Sequence, residues 1–149
     1  TRLLLWPGCC AIHARFNVEQ IMALRVKYPG IKIAVHPECP PEIVDASDAS
    51  GSTSFLIKFA ADAPDGSVIG IGPEINLVKR LANQHMGRIT IVPLTVSACS
   101  DMAKTTPQTL LTCLEDIADG NPRTRPVAID PSLTGPARAS LTRMLEACR

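Results

Sequence analysis

The chain has 149 residues, of which 46% are hydrophobic and 19% charged, a balance that is typical of a folded protein and argues against a disordered one. Its net charge is +1 and its 15 basic residues are scattered, so the sequence does not predict nucleic-acid binding. No apolar run is long enough to span a membrane, and we recognise no signal peptide. We therefore expect a cytoplasmic protein.

Short apolar runs separated by turn residues predict the strands. They lie at Leu3–Trp6, Ile31–Val35, Val68–Ile71, Ile89–Val92 and Val127–Ile129. Because these runs are continuously apolar rather than alternating, we expect parallel strands that are covered on both faces.

Helices are predicted between the strands from their capping residues. Asn17 with Gln20 three residues later forms a capping-box pattern, and Gly30 after Tyr28 and Pro29 ends that helix. Further helices are predicted to begin near Ser52, Pro73, Thr106 and Pro136.

The alternation of strands and helices predicts an α/β fold. The stretch Asp62–Ser67, which contains Pro and Gly, is the best boundary between two small units, residues 1–65 and 66–149. Each unit is expected to be a small Rossmann-like, three-layer domain with a short parallel sheet.

Polar and sulfur-bearing residues follow the carboxyl ends of the predicted strands. The segments are Gly8–His13, His36–Cys39, Gly72–Glu74 and Ala98–Met102. Ligands of open α/β sheets bind beyond these strand ends, so we predict a site in a central crevice. The alternative is that the loops are simply polar surface connections.

The same loops resemble those of the quinolinate synthases. Trp6–Phe16 is similar to their W-x-G-x-C-x-x-H-x-x-F segment. His36–Pro40 and Gly51–Ser54 resemble their HPE(C/S)P and GST segments. Cys99–Met102 resembles their C-x-x-M ligand segment, and Arg143–Leu145 resembles their C-terminal ending.

The resemblance implies an iron–sulfur enzyme of three similar α/β domains around a pseudo-threefold axis, each giving one cysteine to a [4Fe–4S] cluster. The chain would be the C-terminal two of these domains, about two-thirds of the family's length, with the first domain and its cysteine absent. By position, Cys10 and Cys99 match two cluster ligands. With only two of the three thiolates, the chain alone is expected to be inactive.

The resemblance also implies the reaction, the condensation of iminoaspartate with dihydroxyacetone phosphate to quinolinate in NAD biosynthesis. The open iron of the cluster would act as a Lewis acid. The substrates, and possibly the enzyme that supplies iminoaspartate, would be the partners. His13, His36, Ser52 and Thr53 would bind substrate, and Glu38 and His13 would transfer protons.

The remaining cysteines are interpreted as structural or incidental. We expect Cys9 to be a small buried hydrophobe. Cys39 is not expected to be a ligand, because some family members have serine at that position. Cys113 lies on the apolar side of a predicted helix and Cys148 lies near the end of the sequence.

The candidate site residues also have ordinary structural interpretations. His13 and His36 are alternatively core histidines with satisfied hydrogen bonds. Glu38 is alternatively a carboxylate in the first turn of a helix, and Ser52 a simple N-cap.

One position departs from the family pattern, since Gly72-Pro73-Glu74 stands where members commonly have Gly-Thr-Glu. Proline removes a hydroxyl and a backbone N–H, and Glu74 remains a candidate site residue. Two other functions stay open: a cluster-free module that binds a small phosphorylated or dicarboxylic ligand, and a zinc protein that uses Cys10, His13 and Cys99.

Overall fold

The computed structural model describes residue 4, residues 7–121, residue 123 and residues 126–148. The chain forms two compact units, Thr1–Ala103 and Lys104–Arg149. The predicted strand Leu3–Trp6 falls almost entirely outside the described residues.

The first unit contains a four-stranded parallel sheet in the order β2-β1-β3-β4. The strands are β1 Lys32–Val35, β2 Ala49–Ser50, β3 Val68–Gly72 and β4 Thr90–Pro93. The helices are α1 Val18–Lys27, α2 Pro41–Ala46, α3 Thr53–Asp62 and α4 Ile75–Gln84. The predicted α/β class and parallel pairing are confirmed.

The unit has three layers because each face of the sheet packs against helices. On one face, Ile33 of β1 belongs to a buried cluster with Ile21 of α1 and Ile43 of α2. On the other face, Ile69 of β3 belongs to a second buried cluster with Leu56 of α3 and Leu81 of α4. Burying such side chains on both sides of a strand explains the continuously apolar runs in the sequence.

Gly72 ends β3 where two side chains crowd its Cα. A Cβ at this position would lie 2.9 Å from Val35 Cγ1 and 3.2 Å from Leu94 Cδ2, closer than side chains normally approach. Glycine therefore lets the ends of β1 and β3 and the segment after β4 come together at one edge of the sheet.

Several predicted helix starts are confirmed. The Gln20 N–H donates to Asn17 Oδ1 at 3.0 Å, and the Asn17 N–H donates to Gln20 Oε1 at 3.1 Å, which completes the capping box of α1. Ser52 caps α3 and Thr106 caps α5 Pro107–Ala118.

Two predicted starts are wrong. Pro73 precedes α4 rather than opening it, because Glu74 is the N-cap and its carboxylate accepts from the Asn76 N–H at 2.8 Å. Pro136 lies inside α6 Pro131–Ala147. That helix begins earlier because Asp130 caps it and Pro131 occupies its first turn, a stronger start signal.

The second unit contains α5 and α6, and the strand predicted at Val127–Ile129 is wrong. This segment is irregular, and Val127 is 91% exposed. A strand needs a neighbour to pair with its backbone groups, and none of the described strands pairs with this segment.

The predicted domain boundary near Asp65 falls in the turn between α3 and β3, inside the first unit. The assignment of residues 1–65 and 66–149 to two family domains stays a prediction, as does the pseudo-threefold arrangement. None of the described helices is both long and apolar enough to cross a membrane.

Candidate active site

A cavity of about 540 Å³ opens at the carboxyl-end edge of the sheet in the first unit. The segments after β1, β3 and β4 all reach it, as the rule for parallel sheets requires. It is lined by Cys10, Ile12, His13, His36, Glu38, Thr53, Pro73, Glu74, Asn76, Leu77, Arg80, Cys99 and Met102. Most of the site residues predicted from the sequence therefore surround one space.

His36 and Glu38 enter the cavity from a tight turn directly after β1. The Cys39 N–H donates to the His36 carbonyl at 3.0 Å, and the Glu38 N–H donates to His36 Nδ1 at 3.3 Å. Glu38 precedes α2, whose N-cap is Pro40, so it is not in the first turn of a helix. Its side chain is 59% exposed, so its carboxylate faces the open side of the cavity.

His13 lies against both of these residues. Its ring stacks on that of His36 with centroids 4.8 Å apart and planes 7° from parallel. Its Nδ1 lies 3.2 Å from Glu38 Oε2, and His36 Nδ1 lies 3.5 Å from the same oxygen. One carboxylate oxygen therefore faces two imidazole rings.

Burial lowers the pKa of His13, and the neighbouring His36 lowers it further. The Glu38 carboxylate acts in the opposite direction but does not reverse the shift. The ring consequently stays neutral to a lower pH than a solvent-exposed histidine. A neutral imidazole has an unprotonated nitrogen, which is able to accept a proton or bind a metal.

Cys10 and Cys99 both line the cavity, and both are partly exposed. Cys10 precedes the short 3-10 helix His13–Arg15, to which it is tied because the Ala14 N–H donates to the Cys10 carbonyl at 3.0 Å. Cys99 follows β4, as predicted. The expectation that Cys9 is buried is wrong, because the residue lies in an irregular segment and is exposed.

Cys39 is the buried cysteine of this region. Its thiol points toward the Gly72 carbonyl, with Sγ and O 3.9 Å apart. Burial raises its pKa to about 11, so it stays a neutral thiol at neutral pH and is a poor metal ligand.

The Gly51–Ser54 segment contributes Thr53 to the cavity. Ser52 caps α3, its Oγ accepting from the Phe55 N–H at 3.3 Å, and it is not among the described residues that line the cavity. A Cβ at Gly51 would lie 2.4 Å from the Phe55 ring, so only glycine fits there. Ser52 therefore acts as an N-cap, and its substrate-binding role stays a prediction.

Pro73 and Glu74 form the cavity wall after β3. Glu74 is buried, and its second carboxylate oxygen accepts from the Asn76 side-chain amide at 2.9 Å. The Ile75 N–H donates to the Ser97 carbonyl at 2.9 Å, which ties the start of α4 to the loop carrying Cys99. Pro73 costs no hydrogen bond within α4, because it lies outside the helix.

Helix α4 contributes side chains to the cavity that were not predicted from the sequence. Asn76, Leu77 and Arg80 all line the cavity, and Arg80 lies four residues after Asn76 and three after Leu77, one helical turn along α4. Arg80 is the only lysine or arginine in this lining, and we find no ion pair between it and any described residue. Arg80 could have been predicted from the sequence, because it lies one helical turn into the helix that follows the predicted strand Val68–Ile71.

The model of the quinolinate synthetase A protein family matches residues 1–146. The chain belongs to this family. It is 43% identical over 145 residues to a quinolinate synthase of Corynebacterium glutamicum, a match that covers 97% of this chain and 36% of the relative. The quinolinate synthases of Lysinibacillus sphaericus and Herpetosiphon aurantiacus are each 40% identical over 146 residues, covering 97% of this chain and 39% and 38% of the relatives.

The family assignment predicted from the sequence motifs is thus confirmed. The chain spans less than two-fifths of the length of these curated relatives, which is a smaller share than the two-thirds expected from the resemblance.

Proposed function

We propose that the cavity is part of the active site of a quinolinate synthase, a transferase that condenses iminoaspartate with dihydroxyacetone phosphate in NAD biosynthesis. The observation that supports this proposal is the convergence of Cys10, His13, His36, Glu38 and Cys99 on one cavity, in a chain that belongs to the family. A loop surface without a ligand would not require sulfur, imidazole and carboxylate groups to share one space.

The donor set of the cavity fits part of a [4Fe–4S] cluster. Two partly exposed thiols, Cys10 and Cys99, line the same cavity, while the buried Cys39 is held as a thiol. Clusters are held by cysteine thiolates, and two are too few, so we propose that a cysteine outside this chain supplies the third. When bound, such a cluster with one open iron supplies a Lewis acid for the substrate.

The proposed proton transfers belong to Glu38 and His13. His13 Nδ1 and Glu38 Oε2 lie 3.2 Å apart, near enough to exchange a proton once the two groups are aligned, and the lowered pKa of His13 keeps its ring neutral and able to accept one. The exposed carboxylate of Glu38 is accessible to a substrate that enters from solvent. His36 orients Glu38 through the backbone hydrogen bond to its Nδ1.

Substrate binding is proposed for His13, His36 and Thr53 in the cavity, with Ser52 at the N-terminus of α3 beside them. The two substrates carry carboxylate and phosphate groups, and backbone N–H groups at the start of a helix attract such anions. We place this reaction in the cytoplasm, with the enzyme that supplies iminoaspartate as a possible partner. The chain by itself is proposed to be inactive, because it provides only two cluster ligands.

Iron and acid-labile sulfide content, measured anaerobically on the longest form of the protein that the source cell makes, tests this proposal. We expect about four of each per chain, and loss of both in Cys10→Ser and in Cys99→Ser. Cys9→Ser is the matched control, because Cys9 is adjacent to Cys10 in sequence but is exposed. This variant should keep its full iron and sulfide content. An intact protein without iron would instead indicate the cluster-free binding module.

Turnover in Glu38→Gln tests the proton-transfer role separately. The amide keeps the shape of the side chain but is not able to take up a proton, so we expect turnover to fall about 100-fold or more while the iron content is unchanged. Unchanged turnover would remove Glu38 from the mechanism without affecting the cluster assignment.

A further inference from the structure

Three different metal-binding atoms lie close together in the lining of the cavity. The Cys10 Sγ, a ring nitrogen of His13 and a carboxylate oxygen of Glu38 all lie within 4.8 Å of one another. Cys99 lines the same cavity but does not belong to this group. Thiolate, imidazole and carboxylate are the three ligand types that zinc accepts in proteins.

The buried ring nitrogen of His13 is suited to bind a cation. The residue is only 9% exposed, and its Nδ1 is buried without an aligned hydrogen bond to any described residue, although Glu38 Oε2 lies 3.2 Å away. Buried polar atoms without partners are rare, and each needs an explanation. A cation between the nitrogen lone pair and the carboxylate oxygen would satisfy both atoms.

The three donors are also held in place by the surrounding chain. The short helix His13–Arg15 fixes Cys10 and His13 through the bond from the Ala14 N–H to the Cys10 carbonyl. The stacked ring of His36 limits rotation of His13, and the His36 Nδ1 anchors the backbone of Glu38. Groups that orient ligands in this way raise metal affinity.

We propose that Cys10, His13 and Glu38 bind one zinc ion when no cluster occupies the cavity. Binding releases the thiol proton of Cys10 to solvent, and three protein ligands leave a fourth position open to water. This inference goes beyond the proposed function, since it uses Glu38 instead of Cys99 and needs no residue from outside the chain. It also replaces the ligand set Cys10, His13 and Cys99 suggested by the sequence.

The test is a zinc titration of the metal-free 149-residue chain under anaerobic conditions, in competition with a chromophoric chelator. Cys113 and Cys148 are both exposed thiols, so the titration uses a Cys113→Ser/Cys148→Ser background to remove them. Far-UV circular dichroism confirms that each variant keeps its helices. Cobalt replaces zinc in a parallel sample to report a thiolate ligand through its charge-transfer absorption.

We expect one zinc per chain, and a loss of affinity of at least about tenfold in Cys10→Ser and in Glu38→Gln, because even outer-shell substitutions weaken metal sites by that amount. Cys9→Ser and Cys99→Ser should bind zinc as the background does. Should the metal-free chain prove unfolded, the same series is measured in the complete protein after removal of its cluster.

No zinc binding by the folded protein, or equal losses in Cys99→Ser and Cys10→Ser, would overturn the proposal. These results are distinguishable from failure of the proposed function. The cluster requires Cys99 and tolerates Glu38→Gln, whereas the zinc site requires Glu38 and tolerates Cys99→Ser.

Discussion

The two units of the chain differ in where their apolar side chains lie. In Thr1–Ala103, leucines such as Leu56 and Leu81 are completely buried between helix and sheet. In Lys104–Arg149, no described residue is buried, and Leu114 of α5 is 55% exposed. Both units nevertheless contain helices with well-formed caps.

The contacts that stabilise the second unit are local. Thr106 and Thr109 form a capping box at the start of α5. Arg123, which follows this helix, contacts Asp116 within it at 2.6 Å. Such contacts each contribute little, on the order of 1 kcal/mol for a helix cap or for an ion pair with one exposed partner. The comparison teaches that caps and spacing are enough to define a helix, whereas burial requires a second surface.

The largest effect predicted from this comparison concerns matched leucines in the two units. Leu81→Ala on α4 removes a fully buried side chain and should lower the free energy of unfolding by about 2–5 kcal/mol. Leu114→Ala on α5 should change it by less than about 0.5 kcal/mol, since the site is mostly exposed. Urea denaturation followed by circular dichroism measures both; equal losses would show that α5 is buried as deeply as α4.

A smaller effect is expected at Asp48, whose carboxylate joins α1 to β1. It accepts from the Ile33 N–H at 2.9 Å and contacts Arg25 at 3.1 Å and Lys32 at 3.2 Å. Asp48→Asn should cost about 1–3 kcal/mol of unfolding free energy, because hydrogen bonds to a charged group are lost.

The same variant has a defined pH dependence. Burial raises the pKa of Asp48, but the Ile33 hydrogen bond and the two cations outweigh it and leave the pKa below its ordinary value. The stabilisation by the Asp48 carboxylate is therefore complete above about pH 4, the pKa of an aspartate in the unfolded chain. It is lost as the pH falls through the lower pKa of Asp48 in the folded protein. Denaturation at several pH values should show the wild type and Asp48→Asn converging in acid.

The control for Asp48 is Asp62, which pairs with Lys58 on the exposed surface of α3. Asp62→Asn should alter the free energy of unfolding by about 0.5 kcal/mol or less at any pH, because exposed pairs within a helix are weak. A comparable loss in both variants would mean that Asp48 is no more than a surface charge.

The smallest effect concerns anion binding at α4. Arg80 lines the cavity, whereas the neighbouring Lys79 does not. Arg80→Gln should weaken binding of inorganic phosphate about two- to fivefold, as expected for an exposed charge, and Lys79→Gln should leave it unchanged. NMR chemical-shift titrations with phosphate measure both affinities, and identical curves would argue for non-specific attraction to the helix surface.

The sequence predicted the parallel sheet and the helix starts at Asn17, Ser52 and Thr106 because these depend on local signals. Apolar runs and capping side chains act within a few residues of chain. The site residues were predicted for a related reason, since the polar segments after β1 and β4 had to meet at one edge of the sheet.

Other features depended on contacts that the sequence does not display. The segment Val127–Ile129 has strand-forming residues but no strand beside it among the described residues, and Cys9, which was expected to be buried, is exposed. The approach of His13, in the short helix His13–Arg15, to Glu38 and the position of Arg80 on α4 at the same cavity join residues that are remote in sequence. By itself, the sequence determined the family, the α/β class and most of the residue types that line the cavity, because those follow from local order along the chain. Only the tertiary structure decided which groups face one another, because burial and distance depend on residues remote in sequence.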